Sequence, residues 1–175
     1  MGKVTVIGGA GFLGRYLVKR LAQQGLQVRV AVRDPEAASF LKPMGDVGQV
    51  QPIQANIRNQ ASIARAVAGA DVVINLAGVM FPGGAQSFQA VHVDGAETVA
   101  RAAAAAGVGR LIHISAIGAD AEADSKYARS KATGEAMVRA AYPDASIVRP
   151  STIFGAEDHF FNLFARLATL TPVMP

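Results

Sequence analysis

The chain lacks cysteine altogether, since none occurs among its 175 residues. Disulfide bonds and thiolate metal sites are therefore excluded, and cysteine usage says nothing about the redox compartment. Long apolar runs are missing as well. No stretch approaches the roughly 18 consecutive apolar residues of a spanning helix, so no transmembrane segment is expected. A signal peptide is not expected either, because Lys3 already opens a strand-like run.

Clusters of positive charge are also missing. The formal net charge is +4, but the basic residues are dispersed from Lys3 to Arg166 with no run of Lys or Arg longer than the pair Lys19 and Arg20. Surfaces that follow a phosphate backbone usually present a clustered stripe of Lys and Arg, so no nucleic-acid partner is expected. The modest excess of arginine suits an anionic cofactor or an acidic membrane surface equally well.

The sequence does contain a repeated alternation of short β-branched apolar runs with helical periods. The predicted strands are Lys3–Ile7, Gln27–Val32, Val50–Ile53, Asp71–Leu76, Arg110–Ile114 and Ala145–Val148. The predicted helices are Phe12–Gln24, Glu36–Pro43, Gln60–Ala68, Ser87–Ala106, Ser125–Tyr142 and Asp158–Thr169. Such alternation gives parallel pairing through right-handed crossovers. It predicts an α/β fold, a Rossmann-type doubly wound parallel sheet with helices on both faces and ligands at the carboxyl ends of its strands.

A glycine-rich loop, "GGAGFLG", joins the first predicted strand to the first helix. It matches G-x-G-x-x-G at Gly9, Gly11 and Gly14, and G-x-x-G-x-x-G at Gly8, Gly11 and Gly14. The glycines permit a tight turn and let backbone amides approach a pyrophosphate at the positive end of a helix. Because a strand precedes the loop and a helix follows it, the pattern predicts dinucleotide binding.

The end of the second predicted strand should face the adenosine 2′ position of that dinucleotide. An acidic residue there accepts from a 2′-hydroxyl, whereas arginine accommodates a 2′-phosphate. Arg33 and Asp34 are adjacent, and only one can face the ribose because neighbouring strand residues point in opposite directions. Arg15, just past the glycine loop, offers a second positive charge. We therefore favour NADP(H) over NAD(H) as the cofactor.

Later segments resemble a known family in their order along the chain. These segments are "NLAG" (Asn75–Gly78), "ISA" (Ile114–Ala116), "YARSK" (Tyr127–Lys131) and "VRPSTIFG" (Val148–Gly155). Together with the glycine loop they resemble the extended and atypical short-chain dehydrogenase/reductases. "GGAGFLGRYLVKRL", "HVDGAETVARAA" and "RPSTIFGAEDHFFN" are similar to the branch related to the nucleotide-binding accessory subunit of respiratory complex I.

The resemblance implies catalytic roles for Ser115, Tyr127 and Lys131. Tyr127 would be the general acid/base, and Lys131 would lower the pKa of Tyr127 and bind the ribose. Ser115 would hold a substrate carbonyl in position. Tyr and Lys at i and i+4 share one helix face, and a nearby ammonium favours the phenolate. The alternative is that Tyr127 simply packs and Lys131 is a solvated helix lysine.

The resemblance also implies cofactor-binding positions in several loops. Asn56 and Ile57 match where the family cradles adenine, Ala77 and Gly78 should pass close to the adenosine ribose, and Pro150 and Ile153 would border the nicotinamide. The full expected set is Gly8, Gly11, Phe12, Leu13, Gly14, Arg33, Asn56, Ile57, Ala77, Gly78, Lys131, Pro150 and Ile153.

Two departures from the family pattern stand out. His92 occupies a position where the family often has Asn, and we interpret both His92 and His113 as structural, with no metal-ligand spacing and no metal expected. Proteins of this type also continue well past residue 175. We therefore expect an NAD(P)-binding domain over residues 1–155 and the start of a truncated substrate or partner region over 156–175.

Three functions remain open at this point. The first is an NAD(P)H-binding protein that holds NADPH as an accessory of a respiratory membrane complex, with a cytoplasmic location, either free or peripheral at the inner membrane. The second is a reductase, epimerase or dehydratase that uses Ser115, Tyr127 and Lys131. The third is a module that senses the redox state of the cofactor.

Overall fold

The computed structural model describes residues 2–158 and 160–170. Its strands are β1 (Lys3–Ile7), β2 (Gln27–Val32), β3 (Val50–Gln54), β4 (Val72–Asn75), β5 (Arg110–Ile114) and β6 (Ser146–Val148). Its α-helices are α1 (Phe12–Gln23), α2 (Gln60–Val67), α3 (Asp94–Ala105), α4 (Lys126–Ala141) and α5 (Phe160–Leu170). The expected region 156–175 falls partly outside the described residues, at 159 and 171–175.

The six strands form one parallel sheet in the order β3-β2-β1-β4-β5-β6. The order reverses between β1 and β4, where the chain crosses from one half of the sheet to the other. This arrangement confirms the predicted doubly wound fold, and it places the switch point at the carboxyl ends of β1 and β4, where such sheets bind ligands.

Each face of the sheet carries its own apolar core. Val6 and Ile7 are neighbours on β1 and point to opposite faces, as strand alternation requires. Val6 packs with Val18 of α1 in one core, while Ile7 belongs to the other core with residues of α2, α3 and α4. The central strands β1 and β4 are therefore buried on both sides, which explains their nearly continuous apolar sequence, whereas the edge strands β3 and β6 are partly exposed.

The helix ends follow local sequence signals. Asn59 caps α2 by accepting from the Ser62 amide at 2.9 Å, and Ser125 caps α4 by accepting from the Ala128 amide at 3.4 Å. Gly25, with φ of +78°, follows α1 as predicted, because only glycine adopts that conformation without strain.

The predicted helix Glu36–Pro43 is wrong. Its first residues form a turn, and a 3₁₀ helix follows at Ser39–Met44. The Asp34 carboxylate accepts from the amides of Glu36 and Ala37, a contact that is equally typical of a turn and of a helix N-cap. Pro43 has no amide hydrogen to continue an α-helical pattern.

The predicted helix Ser87–Ala106 is divided in two. A π-helical turn, Gln89–Val93, precedes α3 and contains His92. Within the described ranges, no helix combines the length and the apolar character needed to cross a bilayer.

Candidate functional site

A cleft of about 590 Å³ lies at the carboxyl ends of β1 to β4, at the switch point of the sheet. Its walls come from the loops that follow these four strands. The lining residues include Gly8, Gly11, Arg33, Asp34, Asn56, Ile57, Arg58, Ala77, Gly78, Val79 and Gln86.

The glycine loop brings backbone unusually close to backbone on one side of this cleft. A Cβ added to Gly14 would lie 2.5 Å from the carbonyl atoms of Gly9, and a Cβ on Gly9 would lie 2.7 Å from Val30 Cγ1. Gly8 has φ of +78° and would meet the Ala77 amide nitrogen at 3.1 Å. A side chain at any of these positions would open the turn, so the glycines are required by this geometry.

The N-terminus of α1 faces this loop without a side-chain cap. Its N-cap is Gly11, which has no side chain to accept from the first-turn amides, and the first turn contains no acidic residue. Uncapped amides at a helix N-terminus, together with the helix dipole, favour an anion such as a phosphate. The cradle therefore fits a pyrophosphate group.

The opposite end of the cleft is lined by charged residues at the ends of β2 and β3. Asp34 uses one carboxylate oxygen to accept from two amides of the following turn. Arg33 is exposed at the cleft, and Arg58 lines the same wall. Asn56 accepts from the Arg58 amide, which shapes the loop after β3. Because two arginines and only one carboxylate line this end of the cleft, its formal charge is positive.

The loop after β4 is held by side chains on its inner side. The Asn75 Oδ1 accepts from the Ala77 amide at 3.1 Å, and its Nδ2 lies 3.1 Å from His113 Nδ1. The Val79 amide donates to His92 Nε2 at 3.0 Å. The small residues Ala77 and Gly78 are thus fixed in the wall of the cleft.

The two histidines are neutral in this environment. Burial lowers the pKa of His92 to about 4, and repulsion from Lys131 acts in the same direction. Burial likewise lowers the pKa of His113 to about 4. The interpretation of these two residues as parts of the fold agrees with these contacts, and His92 also contacts the loop that lines the cleft.

Tyr127 and Lys131 lie one turn apart on α4, but they are not paired with each other. The Lys131 ammonium donates to the Ile114 carbonyl at 2.8 Å. Burial lowers its pKa to about 8, and the Glu135 carboxylate partly offsets this effect. Burial raises the pKa of Tyr127. This direction is the opposite of the one expected from a neighbouring ammonium.

Ser115 lies at the carboxyl end of β5 and is 5% exposed. Its hydroxyl oxygen is buried and makes no hydrogen bond of ordinary geometry within the described residues, so it does not bond the Tyr127 hydroxyl. Among residues 2–158 and 160–170, the three expected catalytic side chains therefore do not form a connected hydrogen-bonded triad.

An ion pair joins the buried Glu135, one turn after Lys131 on α4, to the half-exposed Arg149. The Arg149 guanidinium donates to both carboxylate oxygens of Glu135 at 2.8 and 2.7 Å. Burial alone would raise the pKa of Glu135, but the hydrogen bonds from Arg149, with a smaller contribution from the nearby Ser115 hydroxyl, outweigh it and hold the pKa below its usual range. The pair joins α4 to the segment after β6.

The structure brings some of the expected cofactor positions together and leaves others apart. Lining the cleft are Gly8, Gly11, Arg33, Asn56, Ile57, Ala77 and Gly78. Not lining it are Phe12, Leu13, Gly14, Lys131, Pro150 and Ile153. The sequence did not single out Arg58, Val79 or Gln86. The sequence feature that could have indicated Arg58 is its position directly after Asn56 and Ile57, the two residues expected to contact adenine.

Comparison with known proteins gives relatives of two kinds. The chain is 42% identical over 166 residues to the mitochondrial NADH-ubiquinone oxidoreductase 40 kDa subunit of Neurospora crassa, covering 95% of this chain and 44% of that protein. It is 44% identical over 162 residues to the mouse mitochondrial NADH dehydrogenase (ubiquinone) 1 alpha subcomplex subunit 9, covering 92% of this chain and 43% of that protein. It is also 39% identical over 175 residues to the ceramide reductase of Caulobacter vibrioides, covering 99% and 53%.

The chain thus spans about half the length of these relatives. Among solved structures, a putative NAD-dependent epimerase/dehydratase from Bacillus halodurans superposes with a TM-score of 0.77 at 25% identity, covering 91% of this chain and 74% of that one. These relatives confirm the resemblance predicted from the sequence. Residues 8–159 match the model of a family described as NAD(P)H-binding. The glycine cradle described above fits that description, and the chain belongs to the NAD(P)H-binding family.

Proposed function

We propose that this chain binds NADP(H) in the cleft at the switch point and retains it as a part of its folded structure, in the manner of an accessory subunit rather than a catalyst. The observation that carries the proposal is the uncapped, glycine-lined N-terminus of α1, which faces the cleft while the Ser115 hydroxyl stays buried. The first feature supports phosphate binding, and the second argues against an assembled catalytic triad.

The charge at the end of β2 supports the phosphorylated cofactor. Arg33 and Arg58 line the wall, and Asp34 already has one oxygen engaged by two amides. Arginine accommodates a 2′-phosphate, whereas a free carboxylate would select the 2′-hydroxyl of NAD(H). The cofactor proposed is therefore NADP(H), with Arg33 as the residue that would contact its 2′-phosphate.

The partner proposed is a respiratory membrane assembly. Its support is the name of the Neurospora and mouse relatives, both described as subunits of an NADH-ubiquinone enzyme. The assigned location is peripheral, at the face of a respiratory membrane, with the chain attached through protein contacts.

A reductase is the second candidate, and one observation favours it. The Caulobacter relative is named a ceramide reductase and is 39% identical across 99% of this chain. In that case the cleft would hold NADPH, which would supply a hydride when bound, and Tyr127 would donate the proton to the substrate oxygen. Lys131, released from the Ile114 carbonyl, would hold the ribose beside Tyr127. Ser115 would have to turn toward the substrate to take part.

The dissociation rate of bound NADPH separates these two functions. The complex is chased with excess unlabelled cofactor, and the loss of reduced nicotinamide fluorescence or of label is followed. Retention for hours supports a structural cofactor, while exchange within seconds contradicts retention and favours turnover. Tyr127→Phe is the matched variant, because it keeps the ring and removes the hydroxyl. It should leave the dissociation rate unchanged and abolish any substrate-dependent oxidation of NADPH.

A further inference from the structure

His92 is fully enclosed and uses both ring nitrogens. The residue is 2% exposed and lies in the π-helical turn before α3. Its Nε2 lies 3.0 Å from the amide nitrogen of Val79, and its Nδ1 lies 2.9 Å from the Ser130 hydroxyl on α4. The imidazole therefore bridges two elements, the loop after β4 and the first half of α4.

The surrounding groups fix which nitrogen carries the proton. A backbone amide only donates, so Nε2 must accept from Val79. The Ser130 hydroxyl donates to the Tyr127 carbonyl at 2.7 Å, and its oxygen is left to accept from Nδ1. Only the neutral ring with its hydrogen on Nδ1 satisfies both contacts. In a doubly protonated ring, Nε2 would also carry a hydrogen, and this N–H would point at the N–H of Val79.

The ring and its backbone are also held by packing. Phe88 stacks on the imidazole with a centroid distance of 5.2 Å and an interplanar angle of 17°, and Tyr127 meets it edge-on at 5.4 Å. A Cβ on Gly134 would lie 2.0 Å from the His92 carbonyl oxygen, so α4 is in close contact with the π-helical turn. The two aromatic rings therefore restrict rotation of the imidazole away from Val79.

The bridged loop is a wall of the cleft. Val79 follows Gly78, and both residues line the cavity. A Cβ on Gly78 would lie 3.6 Å from His92 Nε2, so the ring is directly behind that wall. The other end of the bridge lies on the turn of α4 that carries Tyr127 and Lys131.

We propose that His92 is a positioning residue for dinucleotide binding: as the Nδ1–H tautomer it ties the loop after β4 to the turn of α4 that bears Tyr127, and so sets the affinity of the cleft without touching the ligand. This role rests on the proposed function, because it requires that a dinucleotide occupies the cleft. The two arms of the bridge are separable by substitution.

The test is a matched pair of variants, His92→Gln and His92→Asn. Glutamine can place an amide oxygen near the position of Nε2 and accept from Val79, but it cannot at the same time donate to Ser130. Asparagine can place an amide nitrogen near Nδ1 and donate to Ser130, but it is too short to reach Val79. The two replacements are both polar amides that differ by one methylene, so the stability of each variant is measured as well, to separate a space-filling effect from the loss of the Val79 contact.

The affinity of each variant for NADPH is measured by calorimetry, with urea unfolding as the stability control. His92→Gln should bind NADPH within about threefold of wild type, and His92→Asn should bind about tenfold more weakly, the effect of one lost hydrogen bond on a ligand wall. Equal affinities in the two variants at similar stability overturn the role of the Val79 arm.

The tautomer is read on the wild-type protein, so the inference remains testable if a variant folds poorly. Nitrogen-15 NMR of labelled histidine should give Nδ1 as protonated and Nε2 as bare, with a coupling across the hydrogen bond from the Val79 nitrogen to Nε2. Protonated Nε2, or no such coupling, overturns the bridge. Wild-type protein that does not bind NADPH would refute the proposed function and the affinity role together, a result distinct from binding with equal variants.

Discussion

Gly134→Ala puts two effects of opposite sign in competition on α4. Gly134 lies in the interior of that helix, where alanine is the better helix former by about 1 kcal/mol. Helix propensity alone therefore predicts a more stable protein. The contact of Gly134 with the π-helical turn predicts the reverse.

The expected loss of stability in Gly134→Ala follows from one distance. The new Cβ would lie 2.0 Å from the His92 carbonyl oxygen, whereas ordinary contact begins near 3.4 Å. Both atoms belong to or adjoin the backbone, so no rotamer change relieves the clash and α4 must move. Overpacking of this kind costs about 1–3 kcal/mol. With the upper value and the propensity gain set against each other, we expect a net loss of about 2 kcal/mol and a fall in Tm of about 4–8 °C.

Urea unfolding followed by far-UV circular dichroism measures this loss. Gly118→Ala is the control, because a Cβ there meets no heavy atom within 4 Å and its φ is not in the left-handed region. The control should stay within about 0.5 kcal/mol of wild type. A Gly134→Ala protein more stable than wild type would refute the close contact between α4 and the π-helical turn.

Three further outcomes are expected. Because His92 and His113 have pKa values of about 4 in the folded chain against 6.5 for a free histidine, the unfolded chain binds more protons between these values. The free energy of unfolding should therefore fall as pH drops from 6.5 to 4, by up to about 2.7 kcal/mol per pH unit for the two residues together, and His92→Gln should reduce that slope; an unchanged slope would contradict a neutral, buried His92. Arg33→Ala should weaken NADPH binding about tenfold and NADH binding by less than about twofold, measured by calorimetry; equal losses would contradict a 2′-phosphate contact. Arg149→Leu should lower the urea midpoint at pH 7 and lower it less at pH 5, because burial then raises the pKa of Glu135 and protonation relieves the unpaired carboxylate; an equal loss at both pH values would argue against this ion pair.

The sheet and the glycine cradle were predictable because local signals determine them. Alternating β-branched runs mark the strands, and the close approach of Gly14 to Gly9 allows no other residue at that turn. The false helix at Glu36–Pro43 shows the limit of such signals. Its apolar spacing suits a helix, but Pro43 has no amide hydrogen, and the segment forms a turn followed by a 3₁₀ helix.

The contacts of the site were less predictable because they depend on residues distant in the sequence. His92 meets Ser130 across 38 positions, and Asn75 meets His113 across the same separation. No spacing rule reports such pairs. The burial of Ser115 and the raised pKa of Tyr127 likewise depend on how α4 packs on β5. These residues could be identified as candidates from the sequence, but neither the burial of Ser115 nor the direction of the pKa shift of Tyr127 could be predicted from it.

The loop after β4 has already used most of its donors on the protein itself. The amides of Leu76, Ala77 and Val79 donate to Ile7, Asn75 and His92. The first turn of α1, across the cleft, has no side-chain cap. A molecule in the cleft therefore meets uncapped amide donors at α1 and few free amide donors at the loop after β4, which gives it a preferred orientation. An analogue should gain affinity from anionic groups directed at α1, and should lose it from polar groups directed at Ala77 and Val79, whose amides are already engaged.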